Sequence, residues 1–228
     1  TGWKTIWGKR YLFNSSGIVQ TGWQRDNDRW YYFDSNGYMQ TGWKQISGNW
    51  YYLNQSGGME TGLKRISGEF YYFATSGVMQ TGWKWFDGSY YYFKNSGAMQ
   101  IGWYQENDKW YYLDENGRMV TGFHKVYKTE YYFEESGIMQ TGWKLIQNNW
   151  YYFEQSGAML KDQFTPDGYR VDKDGVWRVK VETTTTTTTT TTTVLTTTSQ
   201  EAPTDNAEPI FEETTQITTE EAKSDKAQ

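Results

Sequence analysis

The 228-residue sequence contains no cysteine, a single histidine (His124) and no long apolar segment. Without cysteine the chain has neither a disulfide framework nor a thiolate metal site, which fits secreted bacterial proteins that avoid cysteine as well as cytosolic proteins. No apolar run approaches membrane-spanning length, so membrane insertion is not expected. The sequence opens at Thr1 without an initiator methionine or a signal sequence, and we therefore interpret it as part of a longer chain.

The chain also lacks a surplus of basic residues. Its formal net charge is -5, and residues 182–228 hold nine acidic and two basic side chains, which leaves 18 acidic and 20 basic side chains in residues 1–181. Nucleic-acid binding usually requires a concentrated basic face. Nucleic acid is therefore not predicted as a partner.

Aromatic residues are abundant at 19% of the chain, although the mean hydropathy is -0.88, and they follow a repeat. Eight copies of 20 residues run from Thr1 to Leu160 without insertion or deletion. Within each copy, positions 2 and 17 are glycine, position 11 is tyrosine and position 13 is phenylalanine or leucine; position 19 is Val19 once and methionine thereafter. A fixed period near twenty predicts a stacked architecture, in which no unit buries its apolar side alone.

Each repeat is predicted to be a β-hairpin. Positions 3–6 and 10–13 are short aromatic and β-branched runs of the kind that favour strands. Between them, positions 7 and 8 hold pairs such as Asn27-Asp28 and Ser47-Gly48, which tolerate the positive φ of a two-residue turn. Such a turn places residues opposite each other when their positions sum to fifteen.

This pairing assigns the side chains of each hairpin to two faces. In the third repeat, Trp43, Trp50 and Tyr52 share one face. Positions 6, 11 and 13 share the other, which we predict to be the core, and position 19 fills gaps where hairpins stack. For the tryptophans at positions 3 and 10, structural stacking is the alternative to ligand contact.

The predicted fold class is all-β, with three segments. Residues 1–160 form the eight stacked hairpins, residues 161–181 form a terminal cap, and residues 182–228 form a Thr-rich, acidic, disordered tail that includes the unbroken threonine run 183–193. The cap breaks the period but keeps Asp-Gly turns between strand-like residues. Its predicted covering residues are Phe164, Tyr169, Val171 and Trp177.

Catalysis is not predicted, and neither a cofactor nor a metal site is expected. His124 lies at a position that most other copies fill with lysine or glutamine, so we interpret it as a solvated side chain. Acidic residues at position 14 recur at turns, where Asp and Asn stabilise the backbone locally, and give no unique acid pair for glycoside hydrolysis. No phosphate loop, metal spacing or nucleophile motif is found. A catalytic domain outside these residues stays open.

The motifs Thr-Gly-Trp-Lys, Trp-Tyr-Tyr-Phe and Ser-Gly-x-Met closely resemble the cell-wall-binding, or choline-binding, repeats of Gram-positive bacteria and their phages, over residues 1–160. The resemblance implies a left-handed β-solenoid in which sites between consecutive repeats hold the choline of teichoic acids. Each site would have two aromatic walls from one hairpin and a third from the next. It also implies a secreted protein of the bacterial cell surface or cell wall.

Carried over by position, the resemblance implies a set of ligand-binding walls. The paired walls at positions 3 and 10 are Trp23 with Trp30, Trp43 with Trp50, Trp83 with Tyr90, Trp103 with Trp110, and Trp143 with Trp150. The third wall is expected at position 12 of the next repeat (Tyr52, Tyr72, Tyr112 and Tyr132), with the tyrosine at position 11 as the alternative. Three repeats depart from the pattern, with Arg10 beside Trp3, Leu63 with Phe70, and Phe123 with Glu130, so their sites are expected to be weakened or lost. The seventh copy, with Tyr127-Lys128 at its turn, is expected to be the least regular hairpin.

Three functions remain open at this point. The first is a non-catalytic wall-attachment module that binds choline-decorated teichoic acid or a similar polymer. The second is an α-glucan-binding module of a secreted enzyme, since flat aromatic faces also stack on sugar rings. The third is an adhesin or toxin-like surface that binds host glycans or proteins. The strict Trp pairs favour the wall-attachment module. The sequence does not determine the oligomeric state.

Overall fold

A computed structural model describes residues 1–178. The predicted tail, residues 182–228, and the end of the predicted cap lie outside these residues. The strands are β1 (Gly2–Ile6), β2 (Lys9–Phe13), β3 (Gly22–Asp26), β4 (Arg29–Phe33), β5 (Gly42–Ile46), β6 (Asn49–Leu53), β7 (Gly62–Ile66), β8 (Glu69–Phe73), β9 (Gly82–Phe86), β10 (Ser89–Phe93), β11 (Gly102–Glu106), β12 (Lys109–Leu113), β13 (Gly122–Val126), β14 (Thr129–Phe133), β15 (Gly142–Ile146), β16 (Asn149–Phe153) and β17 (Val176–Trp177).

Each repeat contributes one antiparallel hairpin, and β17 adds a third strand to the last one. In the third repeat Trp43 pairs with Tyr52 and Gln45 pairs with Trp50, so opposed positions sum to fifteen as predicted. In the second repeat both turn residues have positive φ, Asn27 at 46° and Asp28 at 62°. This is the conformation of a type I′ turn, whose twist matches that of the strands.

Backbone hydrogen bonds join consecutive hairpins. The amide of Met59 donates to the carbonyl of Trp30 at 2.8 Å, and the amide of Met79 donates to the carbonyl of Trp50 at 2.8 Å. Position 19 of one repeat is thereby tied to position 10 of the repeat before it. Since an isolated hairpin is marginally stable in water, these bonds and the packing beside them stabilise each unit.

Methionine packs against glycine where repeats meet. The side chain of Met99 occupies the space beside Gly117, where an added Cβ would lie 2.6 Å from its Sδ. Gly117 also has a φ of 77°, a region that L-residues with a Cβ adopt at a cost. Glycine at position 17 is thus required both by the backbone and by the methionine of the preceding repeat.

The side chain at position 13 forms the centre of each described repeat from the second onward. It is fully buried in these repeats, as Phe33, Leu53, Phe73, Phe93, Leu113, Phe133 and Phe153. The predicted core face is therefore confirmed at this position, whereas the tyrosines at position 11 are mostly half-buried.

The turn that leads into the next repeat is held by the side chain at position 14. The Oδ1 atom of Asp34 accepts hydrogen bonds from the amides of Asn36 at 3.0 Å and Tyr38 at 2.9 Å. Asp114 accepts the same two bonds from Asn116 and Arg118. These acids are structural, as their recurrence at turns predicts.

The described residues fall into two compact units. The first comprises Thr1–Gly122 and Phe133–Met139, and the second comprises Phe123–Tyr132 and the described residues from Gln140 onward. Within residues 1–178, the structure has no helix with the length and apolar character needed to cross a membrane.

In the second unit, the segment after the eighth repeat packs on that repeat. Trp143, Leu160 and Val171 form a buried cluster, against which Tyr169 and Trp177 pack. Two turns of the repeat type occur in succession, since Gly168 donates to the carbonyl of Thr165 and Gly175 to that of Asp172. The expectation that Phe164 also covers this end is wrong, because its side chain is 66% exposed.

Candidate functional site

We call the space between consecutive hairpins a seam, and number it by the repeat that supplies positions 3 and 10. Seam two contains an open cavity of about 240 Å³. Its walls are Trp23 and Trp30 of the second repeat with Tyr51 and Met59 of the third. Thr75 and Ser76 of the fourth repeat complete the lining, so the cavity uses three successive repeats and contains no charged side chain.

The rings of seam two are fixed by edge contacts. The ring centroids of Trp23 and Trp30 lie 6.4 Å apart with an interplanar angle of 88°. The ring of Tyr51 lies 4.9 Å from that of Trp23 at 62°. Trp23 is half-buried by these contacts, while Trp30 remains 42% exposed. The site therefore presents differently oriented aromatic faces to one small open volume.

Seam three has the same construction. Trp43 lies 6.4 Å from Trp50 at 82°, and Tyr71 of the next repeat lies 4.8 Å from Trp43. Trp50 is 42% exposed, as Trp30 is. The repeated geometry indicates that seam two is one member of a series.

Repeats five and six differ at their paired positions 3 and 10. In repeat six the rings of Trp103 and Trp110 lie 6.1 Å apart at 88°. In seam five Trp83 contacts Tyr111 of the next repeat at 5.1 Å. Tyr90 occupies position 10, and its ring contacts Trp85 at 4.8 Å. The indole Nε1 of Trp83 donates to Glu106 at 3.1 Å.

Glu106 gives seam five a carboxylate that seam two lacks. Its second oxygen accepts a hydrogen bond from the Tyr104 hydroxyl at 3.0 Å, and Tyr104 stacks on Tyr92 at 3.9 Å. Burial, aided by hydrogen bonds to Tyr92 and Glu106, raises the pKa of Tyr104. Tyr104 therefore stays a neutral donor, and Glu106 places negative charge beside the indole of Trp83.

The tyrosines predicted as third walls, at position 12, have other ring partners. Tyr52 lies 5.2 Å from Trp43 of its own hairpin, and Tyr112 lies 5.1 Å from Trp103 of its own hairpin. Tyr72 stacks on Phe86 at 4.4 Å, and Tyr132 lies 5.0 Å from Phe123. None of these four lines the cavity of seam two, where Tyr51, the alternative at position 11, provides the third wall.

In seam one, a side chain of the protein replaces the second ring. The guanidinium of Arg10 lies over the ring of Trp3, 4.4 Å from its centroid. Its Nη1 donates to the carbonyl of Ser56 at 3.3 Å, and Ser56 corresponds by position to Ser76 of seam two. A cation of the chain therefore covers the aromatic face of this seam.

Seam seven also contains a charged pair. Phe123 contacts Tyr151 at 5.0 Å, but Glu130 stands where a second ring is found in seams two and three. Its carboxylate lies 2.6 Å from the ammonium of Lys161. The seam thus has one aromatic wall from its own repeat, opposite an internal ion pair.

Aromatic rings also pack between repeats four and five. Phe86 stacks between Tyr72 and Tyr91, with centroid distances of 4.4 Å and 4.1 Å. Tyr91, at position 11, is buried in this cluster, and the guanidinium of Arg118 donates to its hydroxyl at 3.3 Å. Together with Leu63 at position 3, this leaves no paired aromatic wall.

The pair Trp143 and Trp150 keeps the ring geometry of the other pairs, at 6.4 Å and 85°, but the segment after the eighth repeat packs on it. Trp143 is only 4% exposed, and its Nε1 donates to Asp167 at 2.7 Å. Trp150 pairs with Trp177 across β16 and β17. These indoles serve the contact with the segment after the eighth repeat, and we do not retain them as ligand walls.

Three lining residues of seam two were not named as site residues from the sequence. Met59 was assigned to packing, although its position 19 is a regular signal. Thr75 and Ser76 belong to the repeat after next, and no spacing pattern in one repeat identifies them. Within residues 1–178, no group of three or more His, Asp or Glu side chains could hold a metal ion.

Comparison with known proteins agrees with this geometry. A family model described as a choline-binding repeat matches residues 20–60, 60–100, 80–121 and 120–164, and a cell wall binding repeat model matches residues 1–19. Among curated proteins, the comparison finds no match.

Several solved structures from Streptococcus pneumoniae are similar. CbpJ of strain TIGR4 is 34% identical, with a TM-score of 0.73, over 78% of this chain and 71% of that one. Choline binding protein F, solved in the presence of a peptidoglycan analogue, is 38% identical, with a TM-score of 0.69, over 75% of this chain and 61% of that one. The choline-binding domain of CbpL is 28% identical, with a TM-score of 0.59, over 78% of this chain and 97% of that one.

These structures confirm the all-β solenoid class of stacked 20-residue hairpins. The chain spans 61% of choline binding protein F, so that protein extends beyond the matched part. Modules of this kind are in general non-catalytic and are associated with the surface or wall of Gram-positive bacteria. The chain belongs to the choline-binding repeat family.

Proposed function

We propose that this chain attaches a secreted protein to a Gram-positive cell wall by holding choline groups of teichoic acid, or of a similar envelope polymer, in seams two, three and five and on the tryptophan pair of repeat six. The observation that carries the proposal is the cavity of seam two. Two indoles, a phenol and a methionine surround about 240 Å³ without a charged side chain.

The chemistry of this lining suits a quaternary ammonium ion. A trimethylammonium group has no N–H and cannot donate a conventional hydrogen bond. Aromatic faces attract it electrostatically, by about 0.5–2 kcal/mol for each contact depending on desolvation. Rings in different orientations, as in seam two, offer several such faces to one cation.

Repetition then converts weak sites into firm attachment. Single sites of this kind bind weakly, but several seams can engage groups on one polymer, where each later contact occurs at a high effective concentration. The chain needs no catalytic group for this function, and we propose that these repeats only bind. Seams one, four and seven contribute less, because internal side chains occupy or replace their walls.

The proposal includes a cap formed by residues 161–181. The buried cluster of Trp143, Leu160 and Val171 supports it, because an exposed end of a stacked array needs covering. Residues 182–228 are proposed to be the tether to another part of the protein.

The test combines retention on a choline-substituted resin with tryptophan fluorescence. We expect free choline to elute the protein and to quench its fluorescence saturably, with no response to dextran. Trp30→Ala and Trp50→Ala should weaken both signals. The matched control is Trp7→Ala, because Trp7 lies at a hairpin turn outside the seams and is 96% exposed. Lack of saturable choline binding, or equal effects of all three variants, would contradict the proposal.

One observation favours α-glucan as a second candidate ligand. Repeat five carries Trp85, whose ring is 61% exposed and lies 4.8 Å from Tyr90. An exposed flat indole is suited to stacking on a sugar ring. Saturable binding to dextran that is lost in Trp85→Ala, without any response to choline, would establish this alternative.

A further inference from the structure

The second unit contains a larger cavity that belongs to none of the seams. Its volume is about 410 Å³, within the range of about 300–1,000 Å³ that small-molecule sites occupy. The lining residues come from the end of the eighth repeat and the segment after it: Tyr152, Glu154, Gln155, Leu160, Gln163, Phe164, Thr165 and Pro166. We call it the end cavity.

An exposed aromatic ring forms one wall of the end cavity. Phe164 is 66% exposed. An apolar side chain in this state does not gain the free energy that burial from water would provide. The guanidinium carbon of Arg170 lies 5.3 Å from its ring centroid. Arg170 is itself paired with Asp162, so its positive charge is balanced outside the cavity.

The end cavity also has polar side chains in its lining. Gln155 and Gln163 are exposed and line the cavity. Each carboxamide offers two donor hydrogens and an acceptor oxygen. Glu154 adds a carboxylate beside them, so the cavity has several directional partners next to a flat apolar face.

This lining distinguishes among ligand classes. A phosphate is disfavoured, because no Lys, Arg or His lines the cavity and Glu154 is acidic. Burial raises the pKa of Tyr152, and the charges of Asp167 and Glu154 raise it further, which agrees with a negative local potential. A trimethylammonium group would leave the two carboxamides unused, unlike in seam two, where no side-chain amide lines the cavity.

We infer that the end cavity is a saccharide site, in which a sugar ring stacks on Phe164 and its hydroxyl or acetamido groups bond to Gln155, Gln163 and Glu154. The C–H face of a pyranose carries a small positive potential that complements the negative face of an aromatic ring. Sugar hydroxyls both donate and accept, as carboxamides do. The inference does not depend on choline binding, because no seam that we assign to choline contributes to this lining.

Isothermal titration calorimetry on the full chain tests it, with tri-N-acetylglucosamine and maltotriose as probes. We expect saturable binding of one equivalent of at least one probe, weakened about tenfold in Phe164→Ala and also weakened in Gln163→Ala. The matched control is Tyr127→Ala, which removes another exposed aromatic ring of the second unit but should leave saccharide binding unchanged.

Retention on choline resin separates the two proposals. Phe164→Ala should be retained like the wild type. The inference is overturned if neither saccharide binds, if Phe164→Ala binds as well as the wild type, or if free choline displaces the saccharide equivalent for equivalent. None of these results would bear on attachment through the seams.

Discussion

The guanidinium of Arg10 lies 4.4 Å from the centre of the Trp3 ring, in the seam position where a second ring stands in the next repeat. The interaction is a cation–π contact, the same kind that we propose for choline in seam two. Arg10 also hydrogen-bonds to the carbonyl of Ser56, which fixes the charge in place. Seam one is therefore closed by an internal cation.

Replacing this cation by a ring should open seam one. In Arg10→Trp we expect one additional choline bound per chain, because Trp3 and Tyr31, whose centroids lie 4.9 Å apart, already provide two walls. Equilibrium dialysis with labelled choline measures the number of bound ligands. Arg10→Ala is the control, since it uncovers Trp3 without supplying a ring and should gain less. If Arg10→Trp binds the same number of choline molecules per chain as the wild type, another feature closes this seam.

The third wall can be assigned by comparing neighbouring tyrosines. In a background that carries Trp50→Ala, Tyr90→Ala and Trp110→Ala, seam two should remain as the main choline site. Tyr51→Ala should then weaken binding by about 0.5–2 kcal/mol, the range for one lost cation–π contact. Calorimetry or fluorescence quenching gives the dissociation constants.

Two controls accompany this comparison. Tyr51→Phe keeps the ring and should bind nearly as well as the parent. Tyr52→Ala tests position 12, and should have the smaller effect because Tyr52 packs on Trp43 of its own hairpin. A larger effect of Tyr52→Ala than of Tyr51→Ala would restore the assignment expected from the sequence.

The hairpins could be predicted from the sequence because local chemistry fixes them. Residues such as Asn27 and Asp28 accept positive φ, and this places the turn. Once the turn is placed, it determines the pairing of Trp43 with Tyr52 and the separation of the two faces. The same reasoning identified Leu53, which is fully buried, as a core residue.

The complete site could not be predicted in this way, because it depends on how one hairpin meets the next. Because side chains alternate along a strand, Tyr51 lies on the face of its hairpin that does not carry the tryptophans. That position suggests that Tyr51 packs in the core. That same side faces the preceding repeat, so Tyr51 contacts Trp23. Only the packing between repeats decides between positions 11 and 12.

The end of the array shows the same limit. Trp143 and Trp150 match the pattern of the other pairs in sequence. The segment after their repeat is not another repeat, and Val171 and Tyr169 pack where a next hairpin would lie. The role of an indole pair therefore depends on its successor, which a pattern within one repeat does not describe.

Glycine at position 17 should be the most sensitive backbone position of a repeat. Gly57 has a φ of 87°, and an added Cβ would meet Cγ, Sδ and Cε of Met39, so the whole side chain would have to move. Left-handed backbone costs about 1–2 kcal/mol for an L-residue, and overpacking adds about 1–3 kcal/mol. We expect Gly57→Ala to reduce the free energy of unfolding by the sum of the backbone cost and the overpacking cost. Urea denaturation measures this change.

Gly42→Ala is the matched control. Gly42 has a φ of 74°, but an added Cβ would meet no atom within 4 Å. It should therefore show only the backbone cost of about 1–2 kcal/mol. Equal destabilisation by the two substitutions would mean that Met39 packing contributes nothing at this position.

Asp172 should make the end of the described chain sensitive to acid. Burial opposes ionisation, but hydrogen bonds from Arg178 and from the amides of Val176 and Asp174 outweigh it and lower the pKa of Asp172 below its ordinary value of 3.8. A lowered pKa in the folded state means that the unfolded state binds more protons. The stabilisation is therefore complete above that ordinary value and is lost as the pH falls through the folded value.

The substitution Asp172→Asn isolates this charge. Asparagine keeps the side-chain oxygen that caps the turn, as Asn54 does in the third repeat, but it cannot pair as an anion with Arg178, whose Nε lies 2.8 Å from Asp172. We expect the variant to melt at a lower temperature than the wild type at neutral pH, and the difference to shrink below about pH 4. Near-ultraviolet circular dichroism, in which Trp143 and Trp177 contribute, measures both melting temperatures. A difference that stays constant down to about pH 2 would show that the oxygen geometry, and not the charge, stabilises this turn.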